Sequence, residues 1–333
     1  MATAQQLLGL IRSHARGDEE RFHALTLQLA ASEDRKGHKK LAGELRNLAE
    51  ETLAKSQATI GLRTPPTKRP TPIVAPRGEL AGLMSAAYPK TRLSHMILDA
   101  GTAGQLKRVV EEHRRRWQLQ EHGLHPRHRL LLIGPPGSGK TMTASALAGE
   151  LGLPLFTVLL HGVITRFMGE SAAKLRLVFD AIADTRGVYL FDELDALAAQ
   201  RGNENDVGEA RRLLNSFLQF LDEDHGESLI VATTNHQGLL DKAIFRRFHL
   251  LLEYRLPDRA LIADTVRARL ANFDLKGLDW TVVSEAGEGL STAEIMRAAE
   301  DAAREAVLDG HTTPDTQQVV TALHNRKSAL RFL

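Results

Sequence analysis

The sequence predicts an α/β fold: a parallel sheet with helices on both faces, followed by a smaller all-helical unit. Two observations carry this. Short apolar runs recur at Arg129–Ile133, Leu155–Leu160, Val188–Phe191, Leu229–Ala232 and His249–Tyr254, with helical stretches between them. Strands buried on both faces read as such continuous runs, and helices between them imply parallel crossovers. After Pro257 the runs stop, and helical patterns follow at about 258–271, 291–308 and 314–326. Ser291 with Glu294 has the spacing of a capping box, and Thr313-Pro314 reads as a helix start.

The N-terminal part differs. Leu7, Leu8 and Ile11, then Phe22, Leu25 and Leu29, then Leu41, Leu45 and Leu48 form three apolar stripes at helical spacing, punctuated by Gly17 and Gly37. They predict a small helical bundle. Five prolines, Pro65, Pro66, Pro70, Pro72 and Pro76, then fall among basic residues. Proline fixes φ and lacks an amide donor, so this stretch reads as an extended linker. A plain solvated tether outweighs a docking segment there. The expected organisation is a bundle at 1–58 that docks a substrate or partner, a Pro-rich linker at 59–90, an α/β domain at 91–256 and a helical lid at 257–333.

Composition narrows the function. Of 333 residues, 43% are hydrophobic, enough for a sizeable core. Lysine and arginine total 43 against 41 acids, a formal charge of +2, so charge alone argues for neither nucleic acid nor membrane. The sequence has no cysteine, which removes disulfides and thiolate chemistry and fits a cytoplasmic chain. No apolar run approaches the roughly 20 residues needed to span a bilayer.

Gly134-Pro135-Pro136-Gly137-Ser138-Gly139-Lys140-Thr141 follows a strand and opens a helix. That context is what a phosphate-binding loop requires. Glycines let backbone amides turn toward phosphates, and the helix N-terminus adds partial positive charge. Lys140 is the candidate to neutralise the β- and γ-phosphates and Thr141 to ligate Mg²⁺, with Pro136, Gly137, Ser138, Gly139 and Met142 completing the ATP site. About 50 residues on, the strand Val188–Phe191 runs into Asp192 and Glu193. A carboxylate at the end of a buried strand is costly unless it meets a cation. Asp192 is the candidate second Mg²⁺ group, and Glu193 the residue that polarises the attacking water. Asp195 reads equally as a surface carboxylate or a partner at a subunit interface.

These residues resemble the AAA ATPases, in particular the protein-remodelling branch, over roughly 92–327. The resemblance implies a P-loop AAA+ core with a C-terminal all-α lid. It implies that Asn235, ending Thr233-Thr234-Asn235, is a sensor that bonds the lytic water or the γ-phosphate. The segment Leu240 to Phe248 is similar to the one that carries arginine fingers. Its guanidinium would act on a neighbouring subunit's ATP, so the resemblance implies a homo-oligomer, a hexameric ring. The family usually separates its two arginines by Pro-Gly; here Arg246 and Arg247 are adjacent, and either is a candidate. The lid departs too: Ser291-Thr292-Ala293 stands where Ser-Gly-Ala is usual, with Ala293 and the strand-like Met96-Ile97-Leu98 expected near adenine. Arg297 reads better as a surface arginine than as a phosphate ligand.

Phe167-Met168-Gly169, after the second apolar run, is similar to the family's pore loop, in which stacked aromatics grip an extended polypeptide. The acidic loop Gly202 to Asp206 does not suit a nucleic-acid channel. The leading expectation is therefore an ATP-hydrolysing ring that unfolds or translocates protein. The sequence resembles bacterial stand-alone members with a short helical N-domain, which can work beside a separate peptidase. The alternative is a nucleotide-dependent switch that activates a partner enzyme without threading. A nucleic-acid loader ranks third: Lys107-Arg108 and Arg114-Arg115-Arg116 are interrupted by Glu111 and Glu112, and read better as a solvated helix face. His122, His125 and His128 are spaced by three, but Pro126 breaks any shared helix face, so a structural role outweighs metal binding. The C-terminal Arg331–Leu333 reads as a frayed end rather than a docking tail.

Overall fold

The computed structural model describes residues 76–164, 170–197, 204–236 and 242–330, with Gly43 and Gly238. The chain divides into two compact units, Met1–Ile73 and Val74–Leu333. Apart from Gly43, the described residues all belong to the second. The expected bundle at 1–58, the tripeptide Phe167-Met168-Gly169 and the C-terminal Arg331–Leu333 lie outside the described residues.

Six strands form one sheet: β1 (Met84–Ala87), β2 (Arg129–Ile133), β3 (Leu155–Val158), β4 (Val188–Phe191), β5 (Leu229–Thr234) and β6 (Leu250–Glu253). Their order is β1-β3-β4-β5-β2-β6. All neighbours are parallel except β1, which runs antiparallel to β3. Strand β1 was not expected, since it falls inside the predicted linker 59–90. The apolar run at 155–160 also divides: β3 ends at Val158, and Leu160–Val163 forms a helical turn.

The central strands are apolar over most of their length because alternate residues serve two cores; Arg129 at the start of β2 and Thr233 and Thr234 at the end of β5 are the polar exceptions. Leu131, Ile133, Tyr189, Phe191, Ile230 and Ala232 point to one face. There they pack beneath α5 (Glu170–Asp184) and α6 (Glu204–Glu223), which supply Leu175, Phe179, Ile182, Phe217 and Leu221. Leu130, Leu132, Val188, Leu190, Leu229 and Val231 point to the other. That face is covered by α1 (Ala100–Arg114) and α3 (Lys140–Leu151), through Leu106, Val109, Ala144 and Leu147. The short helices α2 (Arg116–Glu121), α4 (Leu160–Val163) and α7 (Lys242–Phe245) complete this domain.

Beyond β6 come α8 (Arg259–Arg269), α9 (Trp280–Gly287), α10 (Thr292–Leu308) and α11 (Thr316–Ala329), with a core of their own. Helix α10 buries Ala298, Ala299, Ala302, Ala303 and Ala306, small side chains that let α8 and α11 approach closely. Helix α9 was not expected. The predicted capping box at Ser291 forms by half: the hydroxyl accepts the Glu294 amide at 3.4 Å, but the Glu294 carboxylate turns to Arg297 at 2.8 Å. The reciprocal box sits instead at α11, between Asp315 and Gln318. No helix among the described residues is long and apolar enough to cross a membrane.

Candidate active site

Lys140, Thr141, Asp192, Glu193 and Asn235 lie at the C-terminal ends of β2, β4 and β5, with Ala293 at the start of the helical region against the loop. Crevices outside the carboxyl ends of strands are where open α/β sheets bind ligands. The loop after β2 has positive-φ backbone at three glycines, Gly134, Gly137 and Gly139, and at two of them a side chain would also collide with its neighbours. Gly134 has φ 156°, and a Cβ there would lie 2.3 Å from the Tyr254 carbonyl oxygen. Gly137 has φ 76°, and a Cβ there would meet the Ser291 hydroxyl at 2.6 Å and the Ala293 Cβ at 3.0 Å. The loop is therefore closed on one side by β6 and on the other by the lid. The amide of Ala293 donates to the Gly137 carbonyl at 3.0 Å, so the lid residue expected near adenine touches the loop directly. Beneath, the Thr143 and Tyr254 hydroxyls bond each other at 2.6 Å and brace the first turn of α3. Met142, one position before, is exposed at 40%.

Lys140 opens α3 and is buried. Its ammonium donates to the Gly134 and Pro135 carbonyls, each at 2.8 Å. Burial pushes its pKa below the usual lysine value, while the carboxylates of Asp192, Asp195 and Glu193 oppose that shift. Thr141 stands beside it, its hydroxyl donating to both oxygens of Asp192 at 3.2 and 3.0 Å. A hydroxyl and a carboxylate 51 positions apart in sequence thus share one point in space. Hard oxygen donors of this kind fit Mg²⁺, which keeps several waters and takes few protein ligands.

Glu193 carries a feature the sequence did not announce. Its φ is 54°, the only positive value at a non-glycine among the described residues. Such a residue in the left-handed region costs about 1–2 kcal/mol. Thr233 secures it. The Thr233 hydroxyl accepts the Glu193 amide at 2.9 Å and donates to Asp192 Oδ1 at 2.6 Å. One buried hydroxyl therefore fixes both acids, the first through its side chain and the second through its backbone. Asp195 is buried rather than on the surface, and its carboxylate accepts the backbone amide of Asn235 at 3.2 Å. That bond orients the residue resembling a sensor, whose side chain is half-buried.

The two arginines after β5 diverge. Arg247 donates to Asp222 at 2.8 Å and to the Ala243 carbonyl at 2.9 Å. Arg246 is exposed and makes no ion pair with any described residue. Arg297 turns to Glu294, as expected of a surface arginine. Ile97 sits half-buried in an irregular segment, not in the strand that Met96-Ile97-Leu98 suggested. Its neighbour Met96 reaches the loop instead, with its methyl 3.5 Å from where a Cβ on Gly139 would stand.

A parallel sheet, a glycine loop opening a helix and acids at the next strand end define a P-loop nucleoside triphosphatase. Residues 130–256 match the model of the ATPase family associated with various cellular activities (AAA). The chain is 32% identical over 309 residues to the AAA family ATPase y4kL of Sinorhizobium fredii, covering 93% of this chain and 91% of that protein. It is also 32% identical over 202 residues to the proteasome-activating nucleotidase of Thermococcus kodakarensis, covering 58% of this chain and 51% of that one. A third similarity is to the ATP-dependent zinc metalloprotease FtsH 4 of Sphaerobacter thermophilus, 31% over 233 residues and 35% of that protein's length. The chain belongs to the AAA family and is an ATPase.

Proposed function

We propose that this ATPase works in a homohexameric ring and spends its hydrolysis on remodelling protein substrates. The observation that carries the chemical part is the cluster of Thr141, Asp192, Glu193 and Thr233 beside the Lys140 loop. In this reading Lys140 leaves the Gly134 and Pro135 carbonyls for the β- and γ-phosphates, a charge-assisted contact stronger than a neutral one. Backbone amides of Gly137, Ser138 and Gly139, together with the α3 N-terminus, hold the phosphate chain, and Pro136 shapes the loop. Thr141 and Asp192 would hold Mg²⁺, which would supply neutralisation of the charge that develops on the phosphate oxygens. Glu193 polarises the attacking water and receives its proton as the bond from the γ-phosphorus to the β-bridging oxygen breaks. Asn235 orients that water, and Met142, Ile97 and Ala293 border the base.

Arg246 is the better candidate for the finger that reaches a neighbour's γ-phosphate, because Arg247 is already held by Asp222 and the Ala243 carbonyl. A guanidinium supplied in this way is worth about 10³–10⁵ in rate, which makes hydrolysis depend on assembly. Protein as the substrate class is supported by the similarity to a proteasome-activating nucleotidase and to an ATP-dependent metalloprotease. Phe167-Met168-Gly169 suits a grip on extended polypeptide. Residues 1–58 would dock the client or a partner enzyme such as a peptidase, and 257–333 would form the lid.

The test is a trap. Glu193→Gln keeps the phosphate and Mg²⁺ groups and removes the one that activates water. Loaded with ATP and mixed with source-cell lysate, it should retain polypeptide clients, and Phe167→Ala in the same background should release them. A single stoichiometric partner, retained regardless of Phe167, would point to a nucleotide switch and end the threading reading.

A further inference from the structure

A second cavity, of about 660 Å³, opens at the other end of the sheet, where β2, β5 and β6 begin. Five residues of β2 separate it from the phosphate loop, roughly 16 Å at the rise of a strand. Two sequence features that ATP hydrolysis does not use meet here: Arg116 from the basic run, and His125 and His128 from the spaced histidines. His225 and His249 join them from the loops before β5 and β6. Among the described residues no group of His, Asp and Glu is arranged to hold a metal ion, so coordination does not account for the cluster.

The lining is rich in hydrogen-bond donors and poor in acceptors. It holds Arg116, Arg127 and Arg129 against a single carboxylate, Glu227. Arg127 is neutralised from outside by a bidentate Glu112, at 2.6 to 3.1 Å. Arg116 and Arg186 share Glu227, at 3.3 and 3.7 Å. Arg129 is 8% exposed; it donates one terminal nitrogen to the Asp224 carbonyl, while its Nε has no partner. Arg186 Nε, outside the lining, is likewise buried without a hydrogen bond, and so is His128 Nε2, which is an acceptor in the neutral ring because Nδ1 donates to the Pro126 carbonyl at 3.3 Å. Asp224 Oδ2, also without a hydrogen bond, lies 3.6 Å from His128 Nε2, a distance at which protonation of the ring would pair the two. Buried donors are almost always satisfied in native proteins, so a cavity that leaves the buried Arg129 Nε unsatisfied among further guanidinium groups fits an acceptor-bearing ligand.

We propose that this cavity binds a compact, multiply charged anion of the phosphate class, at a site separate from the ATP site. Arg116 and Arg129 provide the guanidinium donors, and His128 and His249 the imidazoles. Both imidazoles are held neutral in the free protein. Burial is the first cause for each, and His128, Arg129 and Arg127 add repulsion at His249, bringing it down to about 4. At His128 repulsion comes from Arg129 and His125, against a partial pull from Asp224. A bound anion reverses the sign of that field, so binding takes up protons.

The probe is inorganic pyrophosphate, titrated calorimetrically into the full-length protein saturated with Mg²⁺ and ADP, in two buffers of different ionisation heat. Binding should persist in Lys140→Ala, within about twofold of the parent Kd. It should weaken roughly tenfold in Arg116→Gln, the loss of one charge-assisted contact. It should tighten in Glu227→Gln, which removes the carboxylate that competes for Arg116 and Arg186. Proton uptake should fall in His249→Gln, at an exposed position where the glutamine oxygen can still accept the His128 amide. Absence of binding overturns the proposal. So does binding that disappears with Lys140→Ala, or that ignores both Arg116→Gln and Glu227→Gln.

Discussion

Replacing Thr233 by valine exchanges one buried hydroxyl for a methyl of nearly the same volume. Two bonds are lost: the 2.6 Å donation to Asp192 and the 2.9 Å acceptance of the Glu193 amide. A hydrogen bond to a charged group is worth about 1.5–3 kcal/mol. The second loss removes the bond on the Glu193 amide and leaves its left-handed backbone held by the Ala196 amide on its carbonyl at 2.8 Å, a conformation a non-glycine leaves readily. If Thr233 positions the acids, most of this loss falls on the transition state. At about 1.4 kcal/mol per tenfold, kcat should drop roughly 10- to 150-fold. Nucleotide affinity should barely change, because the loop and Lys140 are untouched. Phosphate release under saturating ATP, with a fluorescent ADP displacement assay alongside, separates the two. Thr233→Ser restores the hydroxyl and should recover most of kcat. A valine variant within about threefold of the parent, well under the lower bound, refutes the argument; so does a serine variant as slow as valine.

Arg246→Ala should abolish assembly-dependent hydrolysis while leaving the melting temperature unchanged. Arg247→Ala should instead lower the melting temperature, by losing the Asp222 and Ala243 contacts; reversed roles would reassign the finger. Acidification should destabilise the fold through His113, His128 and His249, whose pKa values all lie below the ordinary 6.5. The unfolded chain then binds more protons, so stability is present above about 6.5 and falls as pH drops toward 4. Melting curves at pH 7 and pH 5 should show the loss, and His249→Gln should reduce it. Phe167→Ala should keep ATP turnover and lose unfolding of a tagged fluorescent substrate; unimpaired unfolding would remove the pore-loop reading.

The central strands were legible because burial on both faces leaves an unbroken apolar run. Strand β1 was not, since Met84-Ser85-Ala86-Ala87 is short and half-exposed, and becomes a strand only by pairing with β3. Helix α9 escaped for a related reason: Trp280-Thr281-Val282-Val283 has β-forming residues, and its helicity comes from the Asp279 cap and from packing. At the site, local spacing singled out Lys140, Thr141, Asp192 and Glu193 as candidates, and the fold brings their elements to one end of the sheet. The work of Thr233 and Asp195 depends on register. Phe191 pairs with Ala232, which sets Asp192 beside Thr233 one step later. No local pattern encodes that alignment between strands.

One bond joins the two parts of the ATPase at its most responsive point. The Gly137 carbonyl receives the Ala293 amide at the first turn of α10, so the C-terminal helices hang from the glycine loop proposed to seat the phosphates. Helix α10 has 17 residues, about 25 Å of rigid rod. A tilt of about 10° at that fulcrum carries its far end roughly 4 Å over this length. The loop thus acts as the short arm of a lever, and the exposed Val307 and Leu308 ride at the tip of the long one.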